Sequence, residues 1–191
     1  MEMFILIQVF RIDDHITKIK DVRVVGKCRG ITYLEDKLVV GYRSPIPRVE
    51  MLTEDGVVLK TLTSSPSGDQ QFRYPYYIQV ANTMDTTIIV SDWGQKTIYM
   101  LDGGLQLLKT FQLPSGGSPF DLAAVGVGQV LVVDRGTDTL QLLDITTGRW
   151  RTLLGKKKGK GWPECLAYNQ SYKRILVGCD RANNVKVYTL S

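Results

Sequence analysis

Three kinds of residue in this chain could do chemistry, and their spacing separates them. Asp92, Asp134 and Asp180 close the apolar runs IIVSD, VLVVD and ILVGCD, and recurring carboxylates that converged on an axis could hold a calcium ion. Each of the three also stands where an extended run enters a turn, and a carboxylate there accepts turn amides, which is the simpler role. Acid–base and nucleophilic groups are scarce. The single histidine, His15, has no G-x-S-x-G or comparable nucleophile setting, and one imidazole does not furnish the ligand set of a catalytic metal. The glycines of Gly103-Gly104, Gly116-Gly117 and VGVGQ lie outside any strand-to-helix junction that would aim amides at phosphate. No catalytic residue, metal or cofactor is expected.

The third kind is basic and aromatic: Tyr42, Arg43, Arg48, Arg73, Trp93, Lys96, Arg135, Lys156, Lys157, Lys158, Lys160, Trp162 and Arg181. Charge interleaved with flat rings suits an acidic or mixed protein surface, and single-stranded RNA is the alternative partner. The RNA reading is weakened because no RNP-type aromatic motif occurs. The lysines of GKKKGKG are suited to steering an encounter more than to fixing it.

The elements that must carry these residues are strands. Residues 118–155 hold four apolar runs separated by VG-rich, DRGTD and DITTG turns, the pattern of a four-stranded antiparallel meander. The opening of that unit recurs. Gly30 of RGITYL, Pro75 of YPYYIQV, Pro119 of SPFDLAA and Pro163 of WPECLAY are 45, 44 and 44 residues apart. Asp92, Asp134 and Asp180 keep the same phase, while the first unit has Gly41-Tyr42 in place of the acid. A period of about 40 to 50 residues with four strands in each unit is the signature of a propeller blade. The expected fold is an all-β propeller of four-stranded antiparallel blades at residues 29–64, 72–112, 118–155 and 161–191, one domain preceded by N-terminal strands in residues 1–28. Residues 1–10 read as one strand and residues 15–25 as another. The last unit shows three strands, so the second N-terminal strand is expected to close it beside residues 185–190. Four blades are visible, and a six-bladed ring of which they form a part is the alternative.

Meander topology sorts the loops into two faces. The turn between second and third strands and the crossover to the next unit open on one face, which collects the basic and aromatic set. Glu35, Asp36, Glu54, Asp55, Asp85, Asp102 and Asp144 fall on the other, with Arg149, Lys173 and Arg174 as exceptions. A net charge of only +5 therefore conceals an expected dipole.

Bulk properties agree with a globular chain: 43% of residues are hydrophobic and 23% charged, which excludes a disordered segment. Cys28, Cys165 and Cys179 form no C-x-x-C pair, so neither a disulfide framework nor a zinc site is indicated, and a reducing, cytoplasmic setting follows. Cys165 and Cys179 read as small core residues. MEMFILIQVF has Glu2 where a signal peptide carries basic residues, and it is too short to span a bilayer. No membrane partner is expected.

The pattern P-x-x-I-x-V, I-x-V-x-D and IYMLDGG of the second unit resembles the NHL repeat, the blade of six-bladed propellers at the C terminus of TRIM-type ubiquitin ligases, divergent invertebrate ones above all. The likeness runs from Arg29 to the end of the chain, and the triplet that follows the Asp in that repeat reads WGQK, RGTD and RANN here. The resemblance implies a non-catalytic recognition platform whose faces bind protein or, in some relatives, single-stranded RNA. These 191 residues contain no RING, B-box or coiled-coil pattern, so the resemblance does not extend ligase activity to them.

Overall fold

A computed structural model describes residues 4–63, 71–81, 86–155, 163–180 and 185–189. The N-terminal strands are β1 (Phe4–Ile12) and β2 (Ile16–Val25). The first meander is β3 (Lys27–Leu34), β4 (Lys37–Ser44), β5 (Arg48–Thr53) and β6 (Val58–Leu62). The second is β7 (Pro75–Ala81), β8 (Thr87–Asp92), β9 (Thr97–Asp102) and β10 (Leu107–Gln112). The third is β11 (Pro119–Ala124), β12 (Gln129–Asp134), β13 (Thr139–Asp144) and β14 (Trp150–Leu154). The last is β15 (Pro163–Asn169), β16 (Arg174–Cys179) and β17 (Val185–Thr189), and one 3₁₀ turn covers Pro114–Gly116.

Every pairing is antiparallel between strands consecutive in sequence, giving sheets in the orders β3-β4-β5-β6, β7-β8-β9-β10, β11-β12-β13-β14 and β15-β16-β17. The first strands pack in series, β3 on β7, β7 on β11 and β11 on β15, so they line the narrow side of the stack. Middle strands such as β8 and β12 read as unbroken apolar runs because a sheet covers each of their faces. Val39, Val49 and Met51 of the first sheet meet Ile88, Val90 and Leu101 of the second. Ile89 and Ile98 meet Val130, Val132 and Leu143 across the next junction. Leu131, Val133 and Leu140 then face Ile175 and Val177 of the last sheet. Gly30 sits where this stacking is tightest, since a Cβ there would lie 2.9 Å from both Ile78 N and Tyr76 O.

The N terminus departs from expectation. β2 does not close the last sheet; it pairs with β1 in a hairpin of register Phe4↔Val25 to Ile12↔Ile16, and among the described residues the last sheet has three strands. Ile5, Ile7, Val9, Val22 and Val24 cover Leu38, Val40, Tyr42 and Leu52 on the side of the first sheet away from the second. The cause is local. Both strands alternate, so each has one apolar face, and the Asp13–His15 turn, in which His15 N–H donates to Asp13 Oδ1 at 3.1 Å, joins them with far less loop-closure entropy than a pairing across the whole chain. Cys165 corrects a second expectation: it is exposed, because it lies on the face of β15 turned away from the third sheet, whereas Cys179 packs within the core cluster between these sheets.

Candidate functional site

The recurring acid builds the face that carries the basic and aromatic residues. Asp92, fully buried at the end of β8, accepts Gln95 N–H at 2.9 Å from the turn that follows. It also accepts Arg73 N–H at 2.7 Å and Tyr74 N–H at 2.9 Å from the crossover entering the sheet, and Trp93 N–H donates to Tyr74 O at 3.1 Å. Asp134 repeats the wiring: Oδ1 accepts Ser118 N–H at 2.7 Å and Gly136 N–H at 3.0 Å, Oδ2 accepts the Thr137 hydroxyl at 2.6 Å, and Arg135 N–H donates to Ser118 O at 3.0 Å. Gly117 is glycine for the same reason, because a Cβ there would overlap the Asp134 carboxylate. Asp92 and Asp134 therefore cap their own turns, as the sequence suggests, and also tie the incoming crossover to that turn. Burial pushes the Asp92 carboxyl above the usual carboxylate range, opposed by the amides of Gln95, Tyr74 and Arg73.

Two clusters stand on this scaffold. In the first, the guanidinium of Arg43 lies 4.6 Å from the centre of the Tyr74 ring and that of Arg73 5.9 Å from it. The Trp93 ring is 5.9 Å from Tyr74, tilted by 38°, and is 44% exposed. The second lies at the narrow side, where first strands begin. Arg29 stands 5.5 Å over Tyr76, Tyr76 is 4.7 Å from Phe120, and Arg135 is 4.9 Å over Phe120 while pairing with Glu164 at 3.5 Å. Tyr77 adjoins both rings, and burial together with Asp121 pushes its phenol up to about 12. Asp121 is itself buried and accepts Leu166 N–H at 2.8 Å, a direct bond from the third sheet to the last.

Of the residues singled out from sequence, Arg43, Arg73 and Trp93 come together around Tyr74, Arg135 joins the second cluster, and Lys96 is exposed in the β8–β9 turn. Two do not belong. Tyr42 is fully buried beneath the N-terminal hairpin, so its ring meets no partner. Arg48 is turned inward, where it pairs with Glu50 at 2.6 Å, stands 4.0 Å over the Tyr42 ring and donates to Val25 O, a brace between β5 and the hairpin. Lys156, Lys157, Lys158, Lys160, Trp162 and Arg181 lie outside the described residues. Arg29, Tyr74, Tyr76 and Phe120, which complete the two clusters, are not among the residues the sequence singles out, although the repeat marker, RYPYY and SPF, contains three of them.

The opposite face is less acidic in effect than its composition suggests. Lys20 pairs with Asp55 at 2.7 Å and Glu54 at 3.9 Å, Lys37 with Asp36 at 2.8 Å, and Tyr33 donates to Glu54. Oδ1 of Asp102 and Oδ1 of Asp144 each accept two amides of their own turns, and Asp85 lies outside the described residues. Among the described residues no three His, Cys, Asp or Glu side chains converge as a metal site, and no helix is long and apolar enough to cross a membrane.

The chain is a β-propeller in fold, built from stacked antiparallel meanders, three of four strands and, among the described residues, one of three. It is similar to the computationally designed Ika4 protein, with a TM-score of 0.60 and 14% identity over 87% of this chain and 92% of that one. It is also similar to the Cps50 (Swd1) β-propeller domain of Myceliophteria thermophila, with a TM-score of 0.66 and 11% identity over 90% of this chain. The RRP9 WD40 repeats give a TM-score of 0.65 and 15% identity over 86% of this chain. The chain spans 60% of the Cps50 domain and 48% of the RRP9 structure. No protein-family model and no curated protein matches it.

Proposed function

We propose that this chain is a non-catalytic recognition module that binds a protein of acidic or mixed surface through its crossover face. The observation that carries the reading is the Arg43–Tyr74–Arg73–Trp93 cluster, in which the buried carboxylate of Asp92 anchors the backbone of Arg73 and Tyr74. Arg, Trp and Tyr are the types that dominate binding hot spots, and side chains fixed before association lose little entropy on contact. The NHL-like residues of the second unit support a narrower form of this reading, the substrate-recognition part of a ubiquitin-ligase-type protein in the cytoplasm, and the free thiols of all three cysteines suit that compartment. A second reading, single-stranded RNA on the same face, is favoured by the exposed Trp93 ring beside Tyr74, over which two guanidinium groups lie.

Crosslinked capture of partners by the full chain tests the assignment. Trp93→Ala with Arg135→Ala should weaken capture by about 2 kcal/mol, roughly 30-fold, while melting stays near that of the parent. A Glu54→Ala, Asp55→Ala control on the opposite face should bind as the parent does. Equal loss from the control, or none from the first pair, removes the assignment. A steep linear fall of log affinity with log salt would transfer the face to RNA.

A further inference from the structure

The fold brings Arg43 and Arg73 together without a counter-ion. Arg43 is the penultimate residue of β4 in the first sheet, Arg73 lies in the crossover into β7 of the second, and both guanidinium groups stand against the one ring of Tyr74, at 4.6 and 5.9 Å. Both arginines are exposed, and among the described residues neither makes an ion pair. Arg48 and Arg135, by contrast, meet Glu50 at 2.6 Å and Glu164 at 3.5 Å. The carboxylate that holds this crossover, Asp92, is turned to the backbone amides of Arg73, Tyr74 and Gln95. The stems are fixed as well: Gly94 packs so tightly here that a Cβ would lie 2.6 Å from Tyr74 Cδ2 and 2.8 Å from Arg73 Cγ. Two like charges against one ring repel, and the ring's quadrupole offsets only part of that. The two sheets that build the site each have all four strands, so it does not wait for a further strand of the stack.

We infer that the Arg43–Arg73 pair receives a phosphorylated side chain of the protein partner, an inference that rests on the crossover face being the binding surface. A phosphomonoester carries nearly two negative charges and three strong acceptor oxygens, enough for two guanidinium forks at once, whereas a carboxylate of an acidic surface fills one. A phosphodiester of RNA brings a single charge to a place that holds two cations. The exposed Trp93 ring, 5.9 Å from Tyr74, offers an apolar face to the modified residue or its neighbour.

The probes are labelled, blocked peptides Gly-Ala-X-Ala-Gly, in which X is phosphoserine, phosphotyrosine, the sulfate ester of either, or the unmodified residue, titrated with the full chain by fluorescence anisotropy. At least one phosphopeptide should bind about tenfold or more tightly than its unmodified form. Its sulfate ester, of the same shape with one charge fewer, should bind about threefold more weakly than the phosphate. Arg43→Gln and Arg73→Gln, checked for an unchanged melt, should each cost about tenfold and together remove the preference for phosphate. Arg174→Gln, which takes a single guanidinium from over Tyr172 on the opposite face, should change nothing. Equal binding of phosphorylated and unmodified peptides, or of phosphate and sulfate, overturns the inference, as does a preference that survives the double exchange. Tighter binding of a single-stranded RNA pentamer, lost in the double variant, would give the pair to RNA and overturn it too. Partner capture through Trp93 and Arg135 is measured separately, so failure of the peptides with capture intact overturns this inference and leaves the crossover face as the binding surface.

Discussion

Replacing Asp92 by alanine should lower the stability of the fold by about 3 kcal/mol, because three part-buried amides that now share one buried carboxylate would lose their acceptor. The loss should be accompanied by release of the crossover that bears Arg73 and Tyr74, so partner capture should fall beyond what the folded fraction explains. Asp92→Asn separates charge from acceptor. One amide oxygen can still take the Tyr74 and Gln95 protons, but the amide nitrogen would face Arg73 N–H, donor against donor, at what is now a 2.7 Å contact. An intermediate loss is expected for Asn. Urea melts of the two variants, with partner capture measured on the folded fraction, check this; an alanine variant within about 0.5 kcal/mol of the parent would show that the carboxylate does not hold the face together.

The propeller is legible in the sequence because its repeat is written in residues with one physical role each. Pro75, Pro119 and Pro163 begin β7, β11 and β15, where a missing N–H costs the ladder nothing, and Asp92 and Asp134 end β8 and β12. Gly30 lies three residues inside β3, which extends back through Lys27. The candidate site is only partly legible. Arg43, Arg73, Trp93 and Arg135 stand in or beside turns and declare themselves, whereas Tyr76 and Phe120 are strand residues whose alternation looks like core, although their rings stack at the narrow side beneath guanidinium groups. Tyr42 fails in the opposite sense. Its place in KLVVGYRSP reads as the entrance to a turn, yet β4 runs on through Ser44, and nothing in that stretch says that another sheet covers it. That cover is the hairpin, and here the sequence is ambiguous by nature: an alternating strand fits any free edge or open apolar face, and only the energetics of closing the loop favour the local solution.

Removing residues 1–25 should therefore destabilise the chain, for a reason other than an opened edge on the last sheet. Val22 and Val24 are nearly inaccessible in the folded chain, and with Ile5, Ile7 and Val9 they cover Leu38, Val40, Tyr42 and Leu52. Returning that junction to water costs roughly 1.5–3 kcal/mol for each large side chain fully exposed, and several are exposed at once, so a loss on the order of 5 kcal/mol is expected. The Lys20–Asp55 pair adds little, since it is an exposed ion pair. Arg48 would lose the Val25 carbonyl while its partner Glu50 stayed buried, and the uncovered sheet would be an apolar surface of the kind that drives association. Val24→Asp makes the same test without a deletion, placing an unpaired charge against Val40 and Leu52. Thermal melts and light scattering on both variants should show early, cooperative unfolding with aggregation; a truncated chain that melts with the parent and stays monomeric would mean the hairpin is not docked on the first sheet.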